Sequence, residues 1–373
     1  MTRILLTGAT GWLGSLVAAE LARRGHAVSC VIRGPSAERR LRGVIAADQL
    51  ARIAFVPGDV TQPRAGVTDG QLAGLRGSID VVVHAAALVR LDGAADDELV
   101  RSNVDGTRHV LGLAEALGSP PVLHVSTCSV AGDASVFSER DMDIGQTLRN
   151  GYERTKLAAE KLVTAWSGRS AILRVPGVVG DAATGACRWF SGAFYRALAA
   201  YFLVREDLVR EWHGGERASL EGEGIRLAAD GTLHLPLHLP FNRDCPCAVV
   251  PQDWLASTLA DLCETRTATG VFHLAHPSPP TVGWVLGVAL DHLRIAAPPT
   301  DARAPAPTGP WTRYVRRSLD RMTRYQLPYL RSVPHLRCER LPEVLGRRYV
   351  PPPELDAPLV RRLIDHAVRA RFE

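Results

Sequence analysis

The sequence predicts an α/β fold: a doubly wound parallel sheet in the first half, then a smaller, mostly C-terminal second region. Three observations carry this. Six short apolar runs alternate with helix-period segments before Gly180. A glycine-rich turn stands between the first run and the first helical segment. Past Gly180 the alternation stops, and aromatics, glycines and charges mix without period.

Taken in order, Arg3-Ile4-Leu5-Leu6-Thr7 is the first strand and Ala27 to Ile32 the second. Ile53 to Val56, Asp80 to His84, Val122 to Ser126 and Ala171 to Arg174 give the next four. Unbroken apolar runs of this length suit strands covered on both faces. Between them, Leu13, Val17 and Leu21 recur at helical spacing, as do Val104, Val110, Leu111 and Leu113. A helix resumes at Gln252–Glu264, and Val271 to Leu274 returns a strand to the sheet. Residues 297–311, rich in Pro and Ala, read as an extended linker. The last helix runs from Pro358 to Arg371, with Leu359, Leu363, Ala367 and Ala370 on one face.

A length of 373 residues, 46% hydrophobic and 22% charged, suits one large or two modest globular domains. The net charge of +5 fits an anionic small ligand and is too dilute for a nucleic-acid footprint. Seven cysteines lack metal or redox spacing, Cys245-Pro-Cys247 included, so free thiols and no metal are expected. Met1-Thr2-Arg3 runs straight into a strand, leaving no room for a signal peptide. The most apolar helical stretch, Phe194 to Val204, contains Arg196 and is too short for a bilayer. A cytoplasmic protein without a membrane span is expected.

The turn Thr7-Gly8-Ala9-Thr10-Gly11-Trp12-Leu13-Gly14 is the dinucleotide fingerprint in its required strand–turn–helix setting. Gly8 permits the tight turn, Gly11 lets backbone approach a pyrophosphate, and Gly14 allows close helix packing. Phosphate would sit at the helix N-terminus, where N–H groups and the dipole favour negative charge. The second strand ends at Arg33, 19 residues past Gly14. An acidic residue there suits the ribose hydroxyl of NAD; Arg33, with Arg39 and Arg40 near, suits the 2′-phosphate of NADP(H). Asp59-Val60 follows the third strand and faces adenine in this reading. Ala85, Ala86 and Ala87 follow the fourth and leave room for ribose and nicotinamide. The fold is therefore Rossmann-type.

Tyr152 and Lys156 stand one turn apart on a helix opened by Gly151. A phenol ionises near 10 and is a poor acid–base unless a neighbouring ammonium lowers that value. Thr127, ending the fifth strand, can donate a hydrogen bond to a substrate oxygen. His84 and His124 read as packed strand-end residues.

These residues together resemble an extended short-chain dehydrogenase/reductase, strongly over 1–180 and more loosely over 246–290. Within that superfamily the sequence is most similar to thioester reductases and fatty acyl-CoA reductase-like proteins. The matching stretches are Thr7–Gly14, Val31–Arg33 with Arg40-Leu41, His84–Ala87, Asn103–Thr107, His124–Thr127, Asn150–Lys156, Gly180–Gly185 and Val249–Asp253. The chain departs from the pattern at Ala131-Gly132, where many relatives have Tyr-Gly, and over 186–245. The resemblance implies a triad of Thr127, Tyr152 and Lys156, with Asn103 either a supporting catalytic residue or purely structural. It also implies a cofactor shell of Thr7, Gly8, Thr10, Gly11, Trp12, Leu13, Gly14, Arg33, Arg40, Asp59, Val60, Ala85, Ala86, Ala87, Asn103, Tyr152, Lys156, Pro176 and Val178.

The expected organisation is an NADP-binding domain of residues 1–180 plus about 246–275, and a substrate-binding region of 181–245 plus about 276–373. Trp189, Phe190, Phe194, Tyr195, Tyr201 and Phe202 are expected to form a lid or wall over substrate. The expected activity is NADPH-dependent reduction of an acyl thioester, on a carrier protein or coenzyme A, to an aldehyde or onward to an alcohol. Arg196, Arg205 and Arg210 are candidates for a basic rim facing the pantetheine phosphate. The rivals are a ketone or aldehyde reductase, an epimerase or dehydratase of a small metabolite or sugar nucleotide, and a non-catalytic NADP sensor. The oligomeric state is left open, a homodimer being one form.

Overall fold

The sheet grows outward from Arg3–Thr7 (β1). The structure is a computed structural model that describes residues 1–92, 96–237, 241–298 and 309–372. The following strands are β2 (Ala27–Ile32), β3 (Ile53–Pro57), β4 (Val81–His84), β5 (Val122–Thr127), β6 (Ser170–Val175) and β7 (Gly270–His273). The helices are α1 (Trp12–Arg23), α2 (Pro35–Arg42), α3 (Asp69–Leu75), α4 (Gly106–Ala116), α5 (Gly151–Ala165), α6 (Ala193–Glu211), α7 (Gln252–Thr265), α8 (Val282–His292), α9 (Pro310–Thr323) and α10 (Ala357–Arg369).

The seven strands run parallel in the order β3-β2-β1-β4-β5-β6-β7. Ile4, Leu5 and Leu6 are fully buried, as are Val81, Val82 and Val83, which is why both strands read as unbroken apolar runs. Strand order reverses between β1 and β4, so Thr7 lies beside both Val31 and His84 at the sheet's carboxyl edge. Ligands of doubly wound sheets bind at this switch point.

Contacts divide the chain into two compact units, each discontinuous in sequence. The first holds residues 1–176, 250–277 and 335–352; the second holds 177–249, 278–334 and 353–373. Residues 335–352, expected in the second region, thus belong with the sheet. There His335–Leu336 pairs in parallel with Val136–Phe137. The Glu139 carboxylate accepts from the N–H groups of His273, Glu339 and Arg340, a long-range tie that leaves no local sequence pattern.

In the second unit α6 packs on α9, and α8 on α10. Phe190, Phe194, Tyr195, Tyr201 and Phe202 are all buried, with Phe194 and Phe190 edge-on to Tyr195 at 4.9 and 5.0 Å. Five of the six residues expected in a lid or wall over substrate are thus packed inside this unit. Rings of this size supply much of a small unit's core, and of the six aromatics singled out only Trp189 stays exposed, at 55%. Part of the expected linker, residues 299–308, lies outside the described residues. Its end instead starts α9, with Pro310 in the first turn and Thr312 capping back to Gly309, a helix that the expected linker does not anticipate. Among the described residues no helix is long and apolar enough to cross a membrane.

Candidate active site

The turn after β1 closes on a hydrogen bond from Gly11 N–H to Gly8 O at 3.0 Å. Gly8 has φ +79, and a Cβ there would lie 2.4 Å from Ala86 N. A Cβ on Gly14 would lie 2.1 Å from Gly8 O, so α1 can seat against the turn only because Gly14 has none. At Gly11 the nearest atom to such a Cβ is Gly8 O, at 3.3 Å, and the space beyond is open. The first turn of α1 has no side-chain cap and no acidic residue. Its N–H groups are therefore left for an anion, and this cradle fits a pyrophosphate. Trp12 turns away to donate from Nε1 to Gln252 Oε1 at 3.0 Å. Thr10 and Leu13 are half-buried around the same turn.

Arg33 is exposed at the end of β2, with Arg39 and Arg40 exposed on α2, while neighbouring Arg42 is paired with Glu38. Among the described residues the first three carry no carboxylate partner. Asp59 Oδ1 accepts from Thr61 N and Oγ1, both at 2.9 Å, and the Val60 carbonyl accepts from His109 Nδ1. Both residues shape their own loop. Pro176 ends the first stretch of the first unit, and Val178 lies at the start of the second unit.

Asn103 lies in a wide helical turn, Val100–Asp105, just before α4. Its Oδ1 accepts from Leu88 N at 2.7 Å, and its Nδ2 donates to Leu88 O and to Thr155 Oγ1 at 3.0 and 3.1 Å. The amide thus clamps the loop following Ala85, Ala86 and Ala87 to α5. Every hydrogen of Nδ2 is engaged with protein, which favours the structural of the two readings left open.

Helix α5 starts where the Asn150 side chain accepts from Glu153 N at 3.0 Å. It is anchored a turn beyond Lys156 by a wholly buried pair, Glu160 with Arg174 at 2.7 Å. Ser126 Oγ donates to the same carboxylate at 2.5 Å, which fixes α5 against β5 beside Thr127. The Thr127 hydroxyl lies close enough to the Tyr152 phenol to favour its ionised form, so two of the three expected groups are neighbours. Lys156 is 2% exposed, and its Nζ donates to Val125 O at 2.8 Å and to His124 Nε2 at 3.2 Å.

Burial pushes the Tyr152 phenol up to about 12, with Thr127 pulling the other way. Lys156 is not among the causes, because it is itself lowered to about 8 and has lost its charge before the phenol titrates. A phenol in this state is a proton donor at neutral pH. Burial lowers Lys156 to about 8, partly offset by Glu160. Arg196, Arg205 and Arg210, the candidates for a basic rim, each make a contact within the second unit. Their guanidinium groups are tied to Met322 O, Gly231 O and Asp207 respectively.

A glycine cradle at the switch point of a parallel sheet, with a Thr–Tyr contact and a buried Lys at the end of β5, defines a class. It is that of NAD(P)-binding oxidoreductases of the extended short-chain dehydrogenase/reductase type. The profile of the Male sterility protein family matches residues 6–220, over half of the chain, and the chain belongs to that family. A linear gramicidin synthase of Brevibacillus parabrevis is 37% identical over 205 residues, 49% of this chain and 4% of that protein. The chain therefore spans only a small part of this curated relative's length. The terminal R domain from the myxalamid PKS-NRPS biosynthetic pathway superposes with a TM-score of 0.78 at 23% identity, covering 100% of this chain and 92% of that one. A thiolation-reductase di-domain from an archaeal non-ribosomal peptide synthetase gives 0.73 at 18%, covering 100% and 76%. These two likenesses establish a shared fold.

Proposed function

We propose that this chain is an NADPH-dependent reductase of an acyl group held as a thioester on a carrier protein or coenzyme A. The observation that carries the reading is Thr127 beside the Tyr152 phenol, with buried Lys156 one turn further along α5, in a chain whose relatives include a linear gramicidin synthase. In this proposal the first unit holds the dinucleotide and the second contributes the substrate side.

Gly8, Gly11 and Gly14 with the α1 N-terminus hold the pyrophosphate, Lys156 holds the nicotinamide ribose, and Arg33 and Arg40 take the 2′-phosphate. Bound NADPH supplies the hydride. Thr127 and Tyr152 hydrogen-bond the thioester oxygen and stabilise the charge that develops on it. Tyr152, kept protonated by burial, then gives its proton to that oxygen. Collapse of the hemithioacetal breaks the C–S bond and releases aldehyde and thiol.

The test mixes the chain with NADPH and an acyl-CoA and follows free thiol and NADPH oxidation together. Equimolar thiol release is expected. Oxidation of NADPH by free aldehydes or ketones with no thiol released from any thioester would favour the rival carbonyl reductase.

Cofactor choice rests on the three unpaired arginines. One charge-assisted contact to the 2′-phosphate is worth about 1.5–3 kcal/mol, or roughly tenfold to a hundredfold in affinity. Arg33→Ala is expected to weaken NADPH binding by that factor and to leave NADH binding unchanged. Equal affinity of the native chain for both cofactors in calorimetry overturns this.

A further inference from the structure

We infer that His124 is a positioning residue for the reductase reaction, a fixed neutral acceptor that orients the Lys156 ammonium from beneath the cofactor site. The inference rests on the role just proposed for Lys156.

The neighbouring hydrogen bonds determine where protons sit. Thr107 Oγ1 donates to Asn103 O at 2.6 Å, so that oxygen accepts from His84 Nε2–H at 3.1 Å. His84 Nδ1 then accepts from the Thr7 hydroxyl at 2.8 Å. His84 is thus a neutral imidazole with its proton on Nε2. The His124 ring lies tilted beside it, ring centroids 5.2 Å apart, and is wholly buried. An ammonium has only donors, so the 3.2 Å contact from Lys156 Nζ makes His124 Nε2 an acceptor and places its own proton on Nδ1.

That Nδ1 is buried and has no hydrogen-bond partner among the described residues. An unpartnered buried donor is a cost that packing alone does not require, since Phe fills the same volume without it. What the imidazole adds is the acceptor. With Val125 O at 2.8 Å it engages two of the three Lys156 protons, which fixes rotation about the Cε–Nζ bond and aims the third. The titratable groups that interact with the ammonium are Glu160 on α5, His124 on β5 and His84 on β4. Desolvation, Lys156 and His84 all hold His124 well below the usual imidazole range, so it stays an acceptor at every working pH.

Removing the acceptor leaves the buried ammonium with one protein partner and favours its neutral form. Affinity for NADPH is then expected to fall off at lower pH than in the native chain. The experiment measures the NADPH dissociation constant, by nicotinamide fluorescence, from pH 6 to 10 in the native chain and four variants, with kcat on an acyl-CoA beside it. In His124→Phe the alkaline loss of affinity is expected about one pH unit lower, with kcat at neutral pH down about tenfold. His124→Gln places an amide oxygen near the Nε2 position and is expected to restore the native profile. His124→Asn is too short to reach Lys156 and should behave like His124→Phe, which keeps the comparison alive if the Phe variant does not fold. Coincident profiles for Gln, Asn and native chains, or equal losses in Gln and Asn, overturn the positioning role. Lys156→Met is the fourth variant. If it binds NADPH and turns over like the native chain, the role proposed for Lys156 is what fails.

Discussion

Tyr152→Phe is expected to lower kcat on aldehyde substrates by about 10²–10⁴-fold, the usual contribution of a positioned general acid. The change deletes one oxygen and keeps the ring. Helix α5 is held elsewhere, by the Asn150 cap and the buried Glu160–Arg174 pair, so folding and NADPH affinity should survive. The size of the effect follows from the protonation state. A phenol pushed up to about 12 carries its proton at every assay pH, so the variant lacks a donor rather than a base. Thioesters should be less sensitive, since a thiolate departs with little help from an acid. Single-turnover NADPH oxidation on a matched thioester and aldehyde measures both penalties. Activity within about threefold of native on every carbonyl would mean that Tyr152 is not the acid.

Acidification is expected to destabilise the chain steeply below pH 6.5. His84, His124 and His273 are buried as neutral imidazoles, and their hydrogen bonds show it. The His273 Nδ1–H donates to Arg337 O at 2.9 Å, while its Nε2 faces Arg174 Nη1 at 3.3 Å. Burial lowers His84 and His273 to about 3 and His124 well below its usual range. In the unfolded chain all three titrate near 6.5. The folded state therefore binds fewer protons than the unfolded state between about pH 3 and 6.5. Stability from these groups is fully present above pH 6.5 and is lost as pH falls. From pH 7 to 5 each costs about 2 kcal/mol, together about 5–6 kcal/mol against a typical total of about 5–15. Urea unfolding at the two pH values checks this. A loss below about 1 kcal/mol would mean that the histidines are already protonated in the folded chain.

Local pattern carried most of the sheet into the sequence. The seven strands lie within a residue or so of the apolar runs, most plainly β1 and β4, because a strand buried on both faces must be apolar along its length. The glycine turn was legible for a similar reason: a positive φ at Gly8 and the 2.1 Å approach at Gly14 tolerate no other residue. Tyr152 and Lys156 were legible through helical spacing, and Thr127 through its place at a strand end. Neighbours in the chain set all of these features, so they can be read without knowing what packs against what.

Other features depend on which distant groups meet. The alternation that revealed the sheet has no counterpart in the second unit, where α9 and the burial of five aromatic rings follow from helices packing across more than a hundred residues. The membership of residues 335–352 in the first unit rests on Glu139, some 200 residues away in sequence. In the site, spacing put Lys156 near Tyr152 but said nothing of His124, 32 residues earlier on β5, whose Nε2 takes one of its protons. Nor could spacing give the direction of the Tyr152 shift. A nearby ammonium lowers a phenol and desolvation raises it. Packing settles the contest, by desolvating the phenol and by lowering Lys156 to about 8, so that its charge is gone before the phenol titrates.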